Sequence, residues 1–177
     1  MKPFVYCPAC ATELEEPNSE GGSSCPNCGR SWYRNSSPTV TAAIVSGDRV
    51  LVTVRAFDPK KGKTDTPGGF LKPGEPPLEG LRREIREELG IEIDVSFDDF
   101  VQGVPHTYGD EGDWVLSLGF RAQFLSGEVA PADDVAEARW VTYGELPELD
   151  WAWPHDRDLA SSALRNRRSN PVTTKGE

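Results

Sequence analysis

The sequence predicts a layered α+β domain preceded by a small metal-binding module. Two observations predict the layered domain: β-type segments lie on both sides of one central amphipathic helix, and a second helical pattern lies near the carboxyl end. A third observation, two Cys-x-x-Cys pairs near the amino terminus, predicts the module. The 177 residues are enough for one domain of ordinary size plus such a module.

The four cysteines form two Cys-x-x-Cys pairs with 14 residues between them: Cys7 and Cys10, Cys25 and Cys28. This spacing is close to that of a four-cysteine zinc site, in which two tight turns aim their thiolates at one ion. Gly29 follows the second pair, where such a turn favours a residue that tolerates positive φ. We predict a zinc ribbon over residues 1–34 with a structural Zn²⁺. Two disulfides or a redox Cys-x-x-Cys are the alternatives, and the lack of a secretion signal disfavours disulfides.

The first strands of the domain are predicted after a turn-rich break at residues 35–38. Thr39–Val45 and Arg49–Ala56 have the apolar and β-branched composition of two strands, and Ser46-Gly47-Asp48 between them predicts a hairpin turn. Residues 58–66 are polar and predict a mobile loop, which Pro-Gly-Gly-Phe at 67–70 ends.

The central helix is predicted from Pro76 and Pro77, which suit a helix start, to Gly90, which suits its end. Its apolar residues fall at helical spacing: Leu78, Leu81, Ile85 and Leu89. This stripe is expected to pack on the sheet. The remaining elements are expected to be a strand at Ile91–Val95, a hinge-like loop at Tyr108–Gly112, strands at Asp113–Phe124 and Ala138–Val141, a short helix at Tyr143–Leu149, a helix at Asp156–Arg168 and a frayed tail over 166–177.

Three glutamates, Glu84, Glu87 and Glu88, stand at positions i, i+3 and i+4 of the central helix. This spacing crowds their carboxylates on one face, away from the apolar stripe, and like charges at helical spacing destabilise a helix. A cation is the usual compensation, and carboxylate oxygens suit Mg²⁺ or Mn²⁺. The alternative is a solvated charged face, with the neighbouring arginines pairing along the helix.

The residues around these glutamates complete a longer pattern, G-x5-E-x7-R-E-U-x-E-E-x-G-U, in which U is a bulky aliphatic residue. The nine specified positions are Gly69, Glu75, Arg83, Glu84, Ile85, Glu87, Glu88, Gly90 and Ile91. The chain therefore resembles the Nudix, or MutT-like, hydrolases with an amino-terminal zinc ribbon, and is distantly similar to NADH and ADP-ribose pyrophosphatases. A chance match at a given site is of order 10⁻⁹ at average residue frequencies.

The resemblance implies a fold and a set of roles. The implied fold is an α/β/α sandwich with a mixed β-sheet over residues 38–165. Glu84, Glu87 and Glu88 are implied to bind Mg²⁺ or Mn²⁺ with the carbonyl of Gly69, and a water activated by the metal would attack phosphorus. The implied catalytic groups are these three glutamates, one of which, or Glu111 in a later loop, takes the proton. Glu75 and Arg83 are implied to pair as orienting residues.

The resemblance implies a nucleotide-type small-molecule substrate, a nucleoside diphosphate linked to a second moiety, such as ADP-ribose or NADH. The Ser-Gln-Pro-Trp-Pro-Phe-Pro stretch of NADH pyrophosphatases is absent. Pro105 and Tyr108 lie near positions that carry proline in ADP-ribose enzymes and tyrosine in dinucleoside-polyphosphate enzymes. The candidate substrate-binding residues are Arg55, Phe70, Tyr108 and Trp151, with Trp153 beside the last as another cleft candidate. His106 and His155 are expected to be loop residues rather than ligands.

The net charge of −10 disfavours binding to nucleic acid or to an anionic membrane, because both need Lys and Arg to neutralise phosphates. The sequence has no apolar run of bilayer length and no signal-peptide core, so we expect a cytoplasmic protein. The resemblance leaves a homodimer open. It also leaves open a Nudix-fold nucleotide sensor, or a ribbon that recruits a protein partner. The intact glutamate set argues against the sensor.

Overall fold

The computed structural model describes residues 4–110 and 112–165. A mixed sheet lies between two helices, and a two-stranded ribbon precedes it. The ribbon strands are β1 (Gly22–Ser24) and β2 (Ser31–Tyr33). The strands of the sheet are β3 (Ser37–Ser46), β4 (Arg49–Arg55), β5 (Thr64–Asp65), β6 (Gly68–Phe70), β7 (Glu92–Asp94), β8 (Phe100–Tyr108), β9 (Asp113–Ser126) and β10 (Val135–Thr142). The helices are α1 (Pro77–Leu89) and α2 (Pro154–Arg165), and short 3-10 turns span Phe97–Asp99 and Leu146–Glu148.

The sheet has the strand order β10-β4-β3-β9-β7, with β5 beside β4, β6 beside β3 and β8 beside β9. β3 and β9 are parallel, and the other pairs are antiparallel. β3 changes its partner along its length: Thr39 pairs with Phe70 of β6, whereas Ile44 pairs with Leu51 of β4. Between these two pairings the N–H of Ala42 donates to the carbonyl of Pro67, which lies between β5 and β6.

Alternate residues of β3 supply two cores, one on each face of the sheet. The core under α1 takes Val40, Ala42 and Ile44 from β3 and Leu81, Ile85 and Leu89 from the helix. The core under α2 takes Ala43 and Val45 from β3 and Leu159, Ala160 and Ala163 from the helix. A helix on each face of a mixed sheet is an α/β/α sandwich, so the predicted fold class is confirmed.

Helix α1 follows its predicted pattern closely. Leu81, Ile85 and Leu89 are fully buried, and burial of each such side chain stabilises the fold by about 1.5–3 kcal/mol. Gly90 ends the helix with φ of 68°, and its N–H donates to the carbonyl of Arg86. Glu88 is also buried, with 4% of its surface exposed, although the sequence places it outside the apolar stripe.

Several segments differ from the predicted elements. The sequence does not predict β8, and Tyr108 is its last residue rather than part of a loop. β8 pairs only with β9, so Pro105 sits in an edge strand, where a missing N–H is tolerated. β5 lies inside the predicted polar loop, and the predicted helix at Tyr143–Leu149 is only the short 3-10 turn. α2 is described to Arg165, and the tail over 166–177 lies outside the described residues. No described helix is long and apolar enough to cross a bilayer.

Candidate active site

The four cysteine sulfurs converge at the tip of the ribbon. The Sγ atoms of Cys7 and Cys28 are 3.7 Å apart and those of Cys10 and Cys25 are 3.5 Å apart, and all four lie within 4.8 Å of one another. Four thiolates about 2.3 Å from one Zn²⁺ would be spaced by about 3.8 Å. No disulfide joins any two of these four cysteines. The cluster therefore fits a zinc ribbon and not two disulfides.

The two cysteine turns have matching backbone conformations. Ala11 and Gly29, each directly after the second cysteine of its pair, have φ of 57° and 69°. The N–H of Ala11 donates to the carbonyl of Cys7, and that of Gly29 donates to the carbonyl of Cys25. This positive φ explains the glycine after the second pair.

Arg83 binds three carboxylates, one from the loop before α1 and two from the helix itself. Its Nε and Nη2 atoms donate to the two oxygens of Glu75 at 2.7 and 2.8 Å. Its Nη1 atom donates to Glu84 at 2.7 Å and to Glu87 at 2.9 Å. The Arg83 side chain is 18% exposed. The predicted pair of Arg83 and Glu75 is thus present as a two-pronged ion pair that ties the loop before α1 to the helix.

Gly69 lies directly against the carboxylate of Glu84. A Cβ atom added to Gly69 would lie 2.7 Å from either carboxylate oxygen of Glu84. Gly69 pairs with Val40 of β3, so the approach joins the sheet to α1. Only a residue without a side chain leaves this space free.

Glu88 is buried beside Asp134, a half-buried residue just before β10. The two carboxyls are within hydrogen-bonding range of each other, and the N–H of Gly68 donates to Glu88 Oε2 at 3.0 Å. Burial first, and the charge of Asp134 next, raise the pKa of Glu88 well above its ordinary value.

These groups fit a divalent cation. The donors are all oxygens, the set that Mg²⁺ prefers. Arg83 offsets the charges of Glu84 and Glu87, whereas among the described residues the side chains of Glu88 and Asp134 receive one backbone donor, the N–H of Gly68 on Glu88. A cation would neutralise the crowded negative charge at this place.

A cleft opens beside these carboxylates, where β3 changes its partner. Its lining includes Gly68, Gly69 and Asp134, which adjoin the carboxylates of α1 and are called the carboxylate end. The remaining aromatic and titratable lining residues, called the aromatic end, are Arg55, Asp65, Phe70, His106, Tyr108, Trp153, His155 and Asp156. The rings of Tyr108 and Trp153 are stacked with their centres 5.7 Å apart and their planes 18° from parallel.

Three of the four residues predicted to bind substrate line this cleft: Arg55, Phe70 and Tyr108. Trp151 does not line it. Its indole Nε1 donates to the carbonyl of Leu146, and its ring packs on the core under α2. Trp153 lines the cleft instead. Glu111, one of the predicted alternatives for the proton acceptor, lies outside the described residues.

Four further lining residues were not predicted to belong to the site. Asp65 lies in the predicted polar loop and Asp156 begins the predicted carboxyl-terminal helix. Neither residue belongs to a local sequence motif that points to a site. His106 and His155 were expected to be loop residues, yet their rings lie 4.4 Å apart between β8 and α2. Burial first, and the nearby His106 next, lower the pKa of His155 to about 4. His155 is therefore neutral at neutral pH.

One protein family matches the α/β/α domain, including the glutamate motif. The NUDIX domain family matches residues 36–162 of the chain. The chain belongs to the Nudix family. This confirms the resemblance that the glutamate pattern predicts.

Curated relatives of this Nudix protein are longer than the chain. A protein named NAD-capped RNA hydrolase NudC from Pseudomonas aeruginosa is 32% identical over 158 residues, which cover 88% of this chain and 52% of the relative. A protein of the same name from Stutzerimonas stutzeri is 30% identical over 169 residues, which cover 94% of this chain and 58% of the relative. The chain thus spans about half the length of the curated relatives it matches.

Solved structures of Nudix proteins have the same fold. A NUDIX hydrolase from Nitrosomonas europaea superposes with a TM-score of 0.76 at 24% identity, covering 93% of this chain and 92% of that one. A MutT NUDIX hydrolase from Burkholderia pseudomallei superposes with a TM-score of 0.60 at 25% identity, covering 71% of this chain and 96% of that one.

Proposed function

We propose that this chain hydrolyses the pyrophosphate bond of a nucleoside diphosphate linked to a second moiety, with NAD-type dinucleotides as the preferred class. The observation that carries the proposal is the cleft itself. Its lining contains Gly69 and Asp134, which lie beside the carboxylates of α1, and also the stacked rings of Tyr108 and Trp153. A substrate with a pyrophosphate next to a planar base matches these two ends.

The carboxylate end would hold Mg²⁺ or Mn²⁺ through Glu84, Glu87, Glu88 and the carbonyl of Gly69, with Asp134 beside them. When bound, the cation neutralises charge on the pyrophosphate and acidifies a water. Arg83 holds the side chains of Glu84 and Glu87 in place through its ion pairs. One of the three glutamates, or Glu111, would accept the proton of the attacking water.

The aromatic end would hold the base. Phe70 lies edge-on to Tyr108 with ring centres 5.5 Å apart, and the guanidinium of Arg55 lies 5.1 Å from the ring centre of Trp153. Stacking on aromatic rings suits any planar base. The names of the relatives favour an NAD-type ligand, although the aromatic stretch of NADH pyrophosphatases is absent. In this chain Tyr108 and Trp153 would take its place.

The ribbon would hold one structural Zn²⁺, because four protein ligands leave no open coordination position for substrate. The zinc would supply folding energy to a segment too short to build a core of its own.

The test is a product analysis with Mg²⁺ and separate samples of NAD, NADH, ADP-ribose and an RNA oligonucleotide with an NAD cap. Cleavage of NAD should release AMP and nicotinamide mononucleotide, and H₂¹⁸O should label one of the two phosphates. A capped RNA that reacts faster than NAD would extend the substrate to nucleic acid, against the expectation from net charge. The absence of turnover with all four compounds would refute the proposal.

A further inference from the structure

The carboxyls of Asp65, which is half-buried, and Asp156, which is buried, meet in the lining of the cleft. Asp65 ends β5, and Asp156 lies in the first turn of α2. Asp156 is 3% exposed, and the Asp65 side chain is 15% exposed. The two carboxyls are within hydrogen-bonding range of each other. Neither is among the carboxylates proposed to bind the divalent cation.

The hydrogen bonds of the pair leave one oxygen without a donor. Asp65 accepts from the N–H of Thr66 through Oδ1 and from Arg55 Nη1 through Oδ2, both at 2.8 Å. Asp156 accepts from the hydroxyl of Thr66 through Oδ1 at 2.9 Å. Asp156 Oδ2 is buried and has no donor among the described residues. An acceptor buried in this way is costly, and two ionised carboxyls in contact repel.

A proton on Asp156 Oδ2 removes both costs. It turns the oxygen without a donor into a donor, and Asp65 is the acceptor within reach. Asp65 is the better site for the negative charge, because Arg55 Nη1 and the N–H of Thr66 already stabilise its oxygens.

Asp65 in turn holds Arg55 in the cleft. Besides its bond to Asp65, Arg55 donates from Nε to the carbonyl of Pro59 at 2.7 Å and from Nη2 to the hydroxyl of Tyr108 at 3.1 Å. Its guanidinium also lies over the Trp153 ring. Movement of the Asp65 carboxylate would therefore remove the ion pair of Arg55 and leave its guanidinium less firmly positioned against Tyr108 and Trp153.

We propose that Asp156 is a positioning residue that remains protonated, donates a hydrogen bond to Asp65 and so fixes Arg55 for nucleotide binding. The proposal rests on the proposed function, which assigns Arg55 to the substrate.

The surroundings of Asp156 agree with a neutral carboxyl. Burial first, and the charge of Asp65 next, raise the pKa of Asp156 well above its ordinary value, while Arg55 on β4 acts in the opposite direction. His155 Nε2 lies 3.8 Å from Asp156 Oδ1, but its lowered pKa leaves it uncharged. The other titratable groups at this end of the cleft are His106 and Tyr108 on β8, and the pKa of His106 is lowered by burial.

The test compares two substitutions of similar size. Asp156→Asn mimics the protonated acid, because its amide can donate to Asp65 and accept from Thr66, so kcat and KM for NAD should stay within about 3-fold of the wild type. Asp156→Leu has neither group, so KM should rise about 10-fold with kcat nearly unchanged. If Asp156→Asn raises KM as much as Asp156→Leu, or if Asp156→Leu lowers only the melting temperature, the proposal is wrong.

Two readouts do not depend on turnover. A carboxyl whose pKa is raised in the folded state stabilises that state fully at pH values below its unfolded pKa. This stabilisation is lost as the pH rises through the folded pKa. The melting temperature of Asp156→Asn, relative to that of the wild type, should therefore increase as the pH rises. The infrared spectrum at pH 7 should show a protonated carboxyl band that Asp156→Asn removes and Glu88→Gln does not. An active enzyme without this band would contradict the proposal alone. If no nucleotide is hydrolysed, calorimetric binding of ADP-ribose to both variants replaces KM.

Discussion

Gly69 and Glu84 approach so closely that a Cβ atom on Gly69 would lie 2.5 Å from Glu84 Cδ. Real Cβ atoms do not come this close to a carboxylate carbon. The sheet edge at β6 and the first carboxylate of the site are therefore in contact because position 69 has no side chain.

The substitution Gly69→Ala should displace Glu84 and lower kcat/KM by about 100-fold while the domain stays folded. Gly144→Ala is the matched control, since a Cβ there meets nothing within 4 Å. Steady-state kinetics and far-ultraviolet circular dichroism of both variants check the prediction. A Gly69→Ala enzyme with wild-type kcat/KM would show that the Glu84 position is not critical.

Glu75 should contribute stability that depends on pH. Its hydrogen bonds with Arg83 first, and with the N–H of Lys72 next, lower its pKa to about 2. A lowered pKa stabilises the folded state above the unfolded value, about 4.3, and this contribution is lost as pH falls through the folded value. The melting temperature of Glu75→Gln should be below that of the wild type at pH 7, and the gap should narrow below about pH 4. A gap that stays constant with pH would contradict this.

The ribbon should carry about one zinc per chain, measured by elemental analysis of the purified protein. Cys25→Ser should lose the zinc and lower the melting temperature of the ribbon, because Cys25 is a buried member of the sulfur cluster. Ser24→Ala, next to it and exposed, should keep the zinc. Full zinc content in Cys25→Ser would mean that the four cysteines do not form the site.

The two neighbouring tryptophans should have different effects when they are replaced by alanine. Trp153→Ala removes a ring from the cleft and should raise KM for NAD about 10-fold, since base stacking contributes about 1–3 kcal/mol. Trp151→Ala removes a ring that packs on the core under α2, so it should lower the melting temperature and leave KM nearly unchanged. The opposite pattern would place the base-binding ring at Trp151.

The sequence predicts the local parts of the fold well. The β3–β4 hairpin and α1 have apolar spacing that matches their structures, with a turn or cap at each end. β8 is missed because Pro105 and Gly103 break a strand pattern, and only pairing with β9 makes the segment a strand.

The candidate site likewise has residues that the sequence predicts and residues that only the structure shows. Glu75, Arg83 and Glu84 are predicted together because they lie in one continuous motif. Asp134 and Asp156 belong to other elements, and tertiary contacts alone bring them to Glu88 and Asp65. Trp151 and Trp153 share one local sequence, so only packing shows which ring faces the cleft.

The most direct test of pyrophosphate hydrolysis at these carboxylates is the initial rate of AMP release from NAD by the wild type and Glu88→Gln, with and without Mg²⁺. The wild type should need Mg²⁺ or Mn²⁺. Glu88→Gln should lose at least about 100-fold in kcat, because it removes one of the carboxylates proposed to hold the metal. Lys61→Gln, in the exposed loop before β5, should behave as the wild type. A wild-type rate that is the same with and without divalent cations, or full activity in Glu88→Gln, would contradict pyrophosphate hydrolysis at these carboxylates.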